Sequence, residues 1–200
     1  MQLKDIIGDY DTFLDILFEK ILNSDGFSAD EIEKYQSDHI CYRVSTPELY
    51  FEKKKQLLEI GVLLSEAVIN GRPIASIKLH QPIVYKGRDV QMIELPMPKP
   101  GRPHWDGLEH MEMVIDTDFN EFINKHSKNS WVLGAITKEI NPDIELEFTL
   151  TEQDKLKINH PSDRLDQHRT ISVKFHRQPL DKVIEYELEL ERKQKENENK

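Results

Sequence analysis

Along the first part of the chain, apolar side chains recur every three or four positions: Leu3, Ile6, Ile7, Tyr10, Phe13, Leu14, Leu17, Phe18, Ile21 and Leu22. That spacing predicts an amphipathic helix over residues 2–22, broken by Asn23-Ser24-Asp25-Gly26. Ser28 with Glu31 then has the form of a capping box opening a short second helix through Tyr35. From Asp38 the period changes to two. In DHICYRVST, alternation puts Ile40, Tyr42 and Val44 on one strand face and His39, Cys41 and Arg43 on the other. A buried strand needs only apolar residues, so the polar face calls for a reason.

The next segments extend the pattern. PELYFEKKKQLLEIG predicts a helix, with Pro47 near its start and Gly61 past its end. VLLSEAVING predicts a strand leading to a Gly71-Arg72-Pro73 turn. IASIKLHQPIVY and DVQMIELP predict two more strands, separated by a hairpin signal at Lys86-Gly87-Arg88. PMPKPGRPHWDG, residues 96–107, is dense in Pro and Gly and predicts a linker. After it the order restarts. LEHMEMVID predicts a strand, TDFNEFINKHS a helix with Thr117 or Asp118 as N-cap, and IELEFTL, KLKINHP and TISVKFH three strands. WVLGAITKEI either joins the strands or leads into them. IKLHQP and LKINHP occupy corresponding places, each before the last strand of its half.

The order implies an α+β fold of two βαβββ modules, their strands curving into a cup, with extra N-terminal helices. The expected boundaries are 1–36 for the helical extension, 37–100 for the first module, 101–180 for the linker and second module, and 181–200 for a charged C-terminal helix and tail. One compact domain is expected overall.

Composition narrows the function. A chain of 200 residues buries enough surface to fold without disulfides or a structural metal. Its single cysteine, Cys41, allows no intrachain disulfide and suits a reducing cytosol. The start lacks the pattern of a secretory signal, and no apolar run approaches a membrane span, so a cytoplasmic protein is expected. The net charge of −10 argues against nucleic acid or anionic membrane as partners. A small molecule is the expected ligand, and monomer and homodimer both remain open.

Alternation also isolates candidate chemistry. In LEHMEMVID, His110, Glu112 and Val114 share one face and Met111, Met113 and Ile115 the other. The closing strands set Val90, Met92 and Glu94 opposite Gln91, Ile93 and Leu95, and Ser172, Lys174 and His176 opposite Ile171, Val173 and Phe175. Four strands, two per half, can thus present His39, Glu94, His110 and His176 to a common space. Imidazole and carboxylate together suit Zn, Fe, Ni, Co or Mn better than Ca or Mg. Two His and one carboxylate also leave positions open for substrate and water. A lone strand histidine is ordinarily just a satisfied surface or core residue; two at equivalent places in a repeat, matched by Glu94, favour a metal.

The paired order, with HxCxRV and HxEMVID opening the halves and MIEL closing the first, resembles the vicinal-oxygen-chelate superfamily. That group includes glyoxalase I, extradiol dioxygenases, methylmalonyl-CoA epimerase and bleomycin-resistance proteins. The whole chain, including PMPKPGRPHWDGLEHMEMVI, resembles the bacterial YecM-like family of uncharacterised proteins. The resemblance implies that His39, Glu94 and His110 fall where metal ligands sit. His176 stands where many superfamily members carry Glu, and is either a fourth ligand or a general base.

Other polar residues have two readings each. Arg43 and Lys174 either hold an anionic substrate group or neutralise Glu112 and Glu94, the latter favoured. Glu112 is a candidate base or a partner that orients a ligand histidine. Cys41 is expected to pack, His80 and His160 to be structural, and His104 with Trp105 to cover the opening; His126 and His168 receive no role. The implied function is a metal-dependent isomerase, lyase or dioxygenase that chelates adjacent oxygens of a small molecule. The alternative is a binding module without catalysis, as bleomycin-resistance proteins are.

Overall fold

The computed structural model describes residues 2–101, 104–158 and 169–198. Where the sequence predicts one N-terminal helix, two form: α1 (Leu3–Ile7) and α2 (Tyr10–Leu22). Gly8 separates them at φ 83°, a conformation L side chains rarely adopt, so the chain turns there while both segments keep their apolar faces buried. The α3 helix (Ala29–Ile32) is capped as expected, its Glu31 N–H donating to Ser28 Oγ. The Glu31 carboxylate, however, turns away from the cap. It meets the Tyr35 hydroxyl at 2.5 Å, Lys125 Nζ at 2.6 Å and His126 Nε2 at 3.0 Å.

Strand β1 (Gln36–Arg43) is followed by α4 (Pro47–Leu58), β2 (Gly61–Ile69), β3 (Arg72–Tyr85) and β4 (Arg88–Pro96). Thr46 caps α4, accepting from the Leu49 N–H. The β2–β3 turn falls on Asn70-Gly71, with Arg72 and Pro73 already in β3, a residue earlier than the sequence suggests. Lys86 and Gly87, at φ 47° and 81°, make the β3–β4 hairpin.

The second half runs β5 (Gly107–Val114), α5 (Phe119–Lys125), β6 (Trp131–Val132), β7 (Asp143–Thr149), α6 (Glu152–Ile158) and β8 (Thr170–His176), and the chain closes with α7 (Leu180–Glu198). Asp118 is the N-cap of α5. WVLGAITKEI contributes only the two-residue β6 and then turns. The segment KLKINHP corrects the strand expected there: Lys155–Ile158 close α6, whose Asp154 accepts from Thr151 like a cap, and the remaining residues lie outside the described ones. His160 and His168 lie outside them as well.

Among the described residues, all strands belong to one eight-stranded mixed sheet in the order β2-β3-β4-β1-β5-β8-β7-β6. The pairs β1–β4 and β5–β8 are parallel and the others antiparallel, so the strand order of the first half recurs in the second. The halves meet where β1 pairs with β5. One sheet face is apolar. Ile40, Tyr42, Val44, Ile93, Leu95, Met111, Met113, Ile115, Ile171, Val173 and Phe175 pack there with the buried residues of α1, α2 and α5 in a single core. Val90 joins this core rather than the Met92 side, past a break in the β3–β4 register. On the opposite face α7 crosses the sheet, with Leu180 and Ile184 packed on Met92 and Leu64. No helix among the described residues is long and apolar enough to cross a membrane.

Candidate metal centre

The pairing of the central strands brings His39, Glu94, His110 and Glu112 together. Cys41 lies level with Glu94 on β4 and with His110 on β5, while His39 lies level with Glu112. His39 Nε2 is 3.5 Å from Glu112 Oε1 and 3.9 Å from Glu94 Oε2; His110 Nε2 is 3.3 Å from the same Glu112 oxygen. One donor atom from each of the four lies within 4.8 Å of the others. Ligands sharing one ion at roughly 2.1 Å stand about 3 to 4 Å apart, so the set fits a transition ion with little movement. Glu112, expected as a base or orienting partner, stands among the possible ligands.

Two carboxylates that the alternation placed elsewhere orient the histidines. The β1–β5 register slips twice. Asp38 is skipped between Ser37 and His39, and Glu109 is skipped between the rungs Cys41–His110 and Tyr42–Leu108. A skipped residue escapes the strict alternation of its strand. Asp38 Oδ2 lies 2.9 Å from His39 Nδ1, and Glu109 Oε2 lies 3.1 Å from His110 Nδ1. A carboxylate only accepts, so both Nδ1 atoms carry protons and both Nε2 atoms face the cluster. Carboxylates hold metal-binding histidines in this way. The sequence signal is an acid directly before each strand histidine, DH and EH; alternation hides it.

His39 is buried, and its Nε2 has no hydrogen-bond partner among the described residues. At 3.5 Å the Glu112 contact is charge facing charge rather than a formed hydrogen bond. Burial would lower the His39 pKa, but Glu112, Asp38 and Glu94 hold it well above the ordinary value. Burial would likewise raise Glu112, which His39 and Lys174 hold well below the carboxylate range. Asp38, Glu94, Glu109 and Glu112 face Arg43 and Lys174 as the fixed cations of the cluster. Once His39 gives up its Nε2 proton, as ligation requires, two negative charges are left, a field suited to a divalent ion.

The remaining predicted residues separate. Lys174, level with Glu112 across β5–β8, puts Nζ 3.4 Å from Glu112 Oε1 and 3.3 Å from His110 Nε2. Against burial, Glu112 and Glu145 hold its pKa raised, so it is a fixed cation rather than a base. His176 lies one pleat further on, level with Val114. It groups with Asp38 and His39 instead of with the four, its Nε2 3.4 Å from Asp38 and 3.9 Å from Glu112. Burial lowers its pKa, which favours neutral imidazole, and Nδ1 is 3.2 Å from Asn141 Oδ1.

Arg43 pairs with Glu109 at 2.5 Å, not with Glu112 or Glu94. His104 Nε2 meets the other Glu109 oxygen at 3.0 Å, and Trp105 lies under the Arg169 guanidinium. Cys41 is buried, and burial with nearby Glu109 pushes its thiol well above the ordinary range, so it supplies no ready thiolate. His80 is exposed on β3. His126 is buried on the other face, stacked on Phe27 and bonded to Glu31, a packing role.

Residues 2–187 match the YecM protein family. The chain belongs to that family. A protein from Escherichia coli K12 described as Protein YecM is 28% identical over 92% of this chain and 93% of its own. An uncharacterised protein from Haemophilus influenzae Rd is 33% identical over 102 residues, 51% of each chain, so the match spans about half that relative's length. A solved structure described as "Structural Genomics, Protein EC4020" superposes with a TM-score of 0.65 at 23% identity, covering 92% of both chains, and shares the fold.

Proposed function

We propose that this YecM-family protein is a divalent-metal-dependent enzyme of the vicinal-oxygen-chelate type, acting on a small molecule by isomerase, lyase or dioxygenase chemistry. In this reading residues 37–100 and 101–180 are two modules facing each other, and the repeated strand order supports it. One observation carries the proposal: two histidines, each fixed at Nδ1 by a carboxylate, turn Nε2 toward the same pair of glutamates. His39, His110 and Glu94 would hold the ion, with Glu112 completing the set. A bound ion supplies Lewis acidity for charge developing on substrate oxygens. Lys174 offsets part of the Glu112 charge and would move aside from His110 Nε2. His176, neutral and next to the set, is the residue for moving a proton.

The Lys174 contact favours a second reading. An ammonium already touching both His110 and Glu112 could be the site's resident cation, and the protein a binding module without catalysis. Metal analysis separates the two, on full-length protein purified without chelator or histidine tag. About one Zn, Fe, Ni, Co or Mn per chain is expected, with His110→Ala folded but binding at least about 100-fold more weakly. Less than about 0.1 ion per chain after reconstitution with each of these metals leaves the binding module standing.

A further inference from the structure

Beside the metal candidates, and outside them, lies a pocket of about 270 Å³ lined by Arg43, Val44, Arg72, Pro96, Pro98, Lys99 and His104. In a chain of net charge −10, none of these lining residues is acidic. Glu109, the carboxylate bonded to Arg43 and His104, is committed: one oxygen accepts from Arg43 Nε and His110 Nδ1, the other from His104 Nε2. Arg72 reaches the Met97 carbonyl through Nη1 at 3.1 Å, while its buried Nε has no hydrogen-bond partner among the described residues. Burial and the neighbouring Arg43 charge lower the Arg72 pKa against Glu109 and Glu94, which raise it. Arg43 already has Glu109, so the buried Arg72 Nε is the donor that an anion in the pocket would satisfy.

We infer that this pocket is an anion subsite, in which Arg43 and Arg72 hold a carboxylate or phosphate group of the ligand. Guanidiniums match the planar or tetrahedral oxygens of such groups, and two donors aimed from different strands fix orientation as well as charge. The subsite is placed to serve the centre described above. Arg43 lies two residues beyond Cys41 on β1, a step of about 7 Å, and Cys41 is level with both Glu94 and His110. The ligand is therefore a small acid or phosphate monoester, its anionic group at the Arg43 side of the centre. That last step rests on the proposed metal function; anion binding by the pocket does not.

The test titrates inorganic phosphate and, separately, acetate into metal-free full-length protein, following the Arg Nε–H resonances by NMR. Saturable shifts at Arg43 and Arg72 are expected. Tighter phosphate binding assigns a phosphate monoester, and tighter acetate binding a carboxylic acid. Arg72→Met should weaken the better anion about tenfold or more. If that variant does not fold, Arg72→Lys, which keeps the charge but loses Nε, should weaken it about threefold. No saturable shift with either anion, or affinity unchanged in the folded variant, overturns the inference. Metal binding is measured in parallel on the same protein. Anion binding without metal binding removes only the metal reading, and metal binding without anion binding removes only this one.

Discussion

Asp38–His39 and Glu109–His110 are the same device in two settings. Each is an acid followed by a histidine, each acid is skipped in the β1–β5 register, and each fixes its neighbour's Nδ1. Asp38 is nearly inaccessible and also accepts the Leu180 N–H at the start of α7, at 2.9 Å, with His176 beside it. Glu109 is partly exposed and shares its oxygens with Arg43 and His104 at the edge of the basic pocket. The first pair therefore ties the centre to the fold, and the second ties it to the place where a ligand would enter. Similar chemistry at the histidine hides a different dependence behind it.

The comparison can be broken most sharply at Asp38. Asp38→Ala leaves the Leu180 N–H and His39 Nδ1 buried without their acceptor, and should cost about 3 to 5 kcal/mol in urea unfolding along with metal affinity. A loss below about 1 kcal/mol would make the two pairs equivalent and refute the asymmetry. Glu109→Gln comes next. Metal affinity measured by calorimetry should fall about 10- to 100-fold, while stability falls by about 1 to 2 kcal/mol, less than in Asp38→Ala, because that carboxylate is partly solvated and Gln keeps an acceptor.

A third carboxylate–imidazole pair sharpens the contrast. Glu31–His126 lies on the opposite sheet face, so Glu31→Gln should lower stability by about 1 to 2 kcal/mol and leave metal affinity unchanged. Burial would raise the Glu31 pKa, but Lys125, Tyr35 and His126 hold it below its ordinary 4.5. The folded value is thus lower than the unfolded one. The contribution is complete above about pH 5 and is lost as pH falls through 4.5 toward the folded value. Acid unfolding of Glu31→Gln should accordingly show a smaller loss of stability over that window than the wild type does. A metal affinity that drops with Glu31→Gln would mean that the two faces are coupled.

Much of this was legible in the chain. Alternation in DHICYRV and LEHMEMVID fixed which face carries His39 and His110, because side chains on a strand must point to opposite sides in turn. The apolar spacing of residues 2–22 specified helix, and Ser28, Pro47 and Asp118 marked helix starts, because these signals are local chemistry. A similar local pattern misled at 155–158, where a short apolar-polar run is compatible with either period and the chain forms helix.

What only the tertiary structure decided is how the strands slide against one another. One skipped residue in each central strand brought Asp38 and Glu109 to the histidines. The β5–β8 register set Lys174 beside Glu112 and left His176 a pleat away, and strand order brought Arg72 from β3 to Arg43. The sequence determined the kinds of donor and the face each one occupies, since those follow from a residue and its immediate neighbours. Their meeting depends on pairing between segments up to 78 residues apart, and no local rule carries that register.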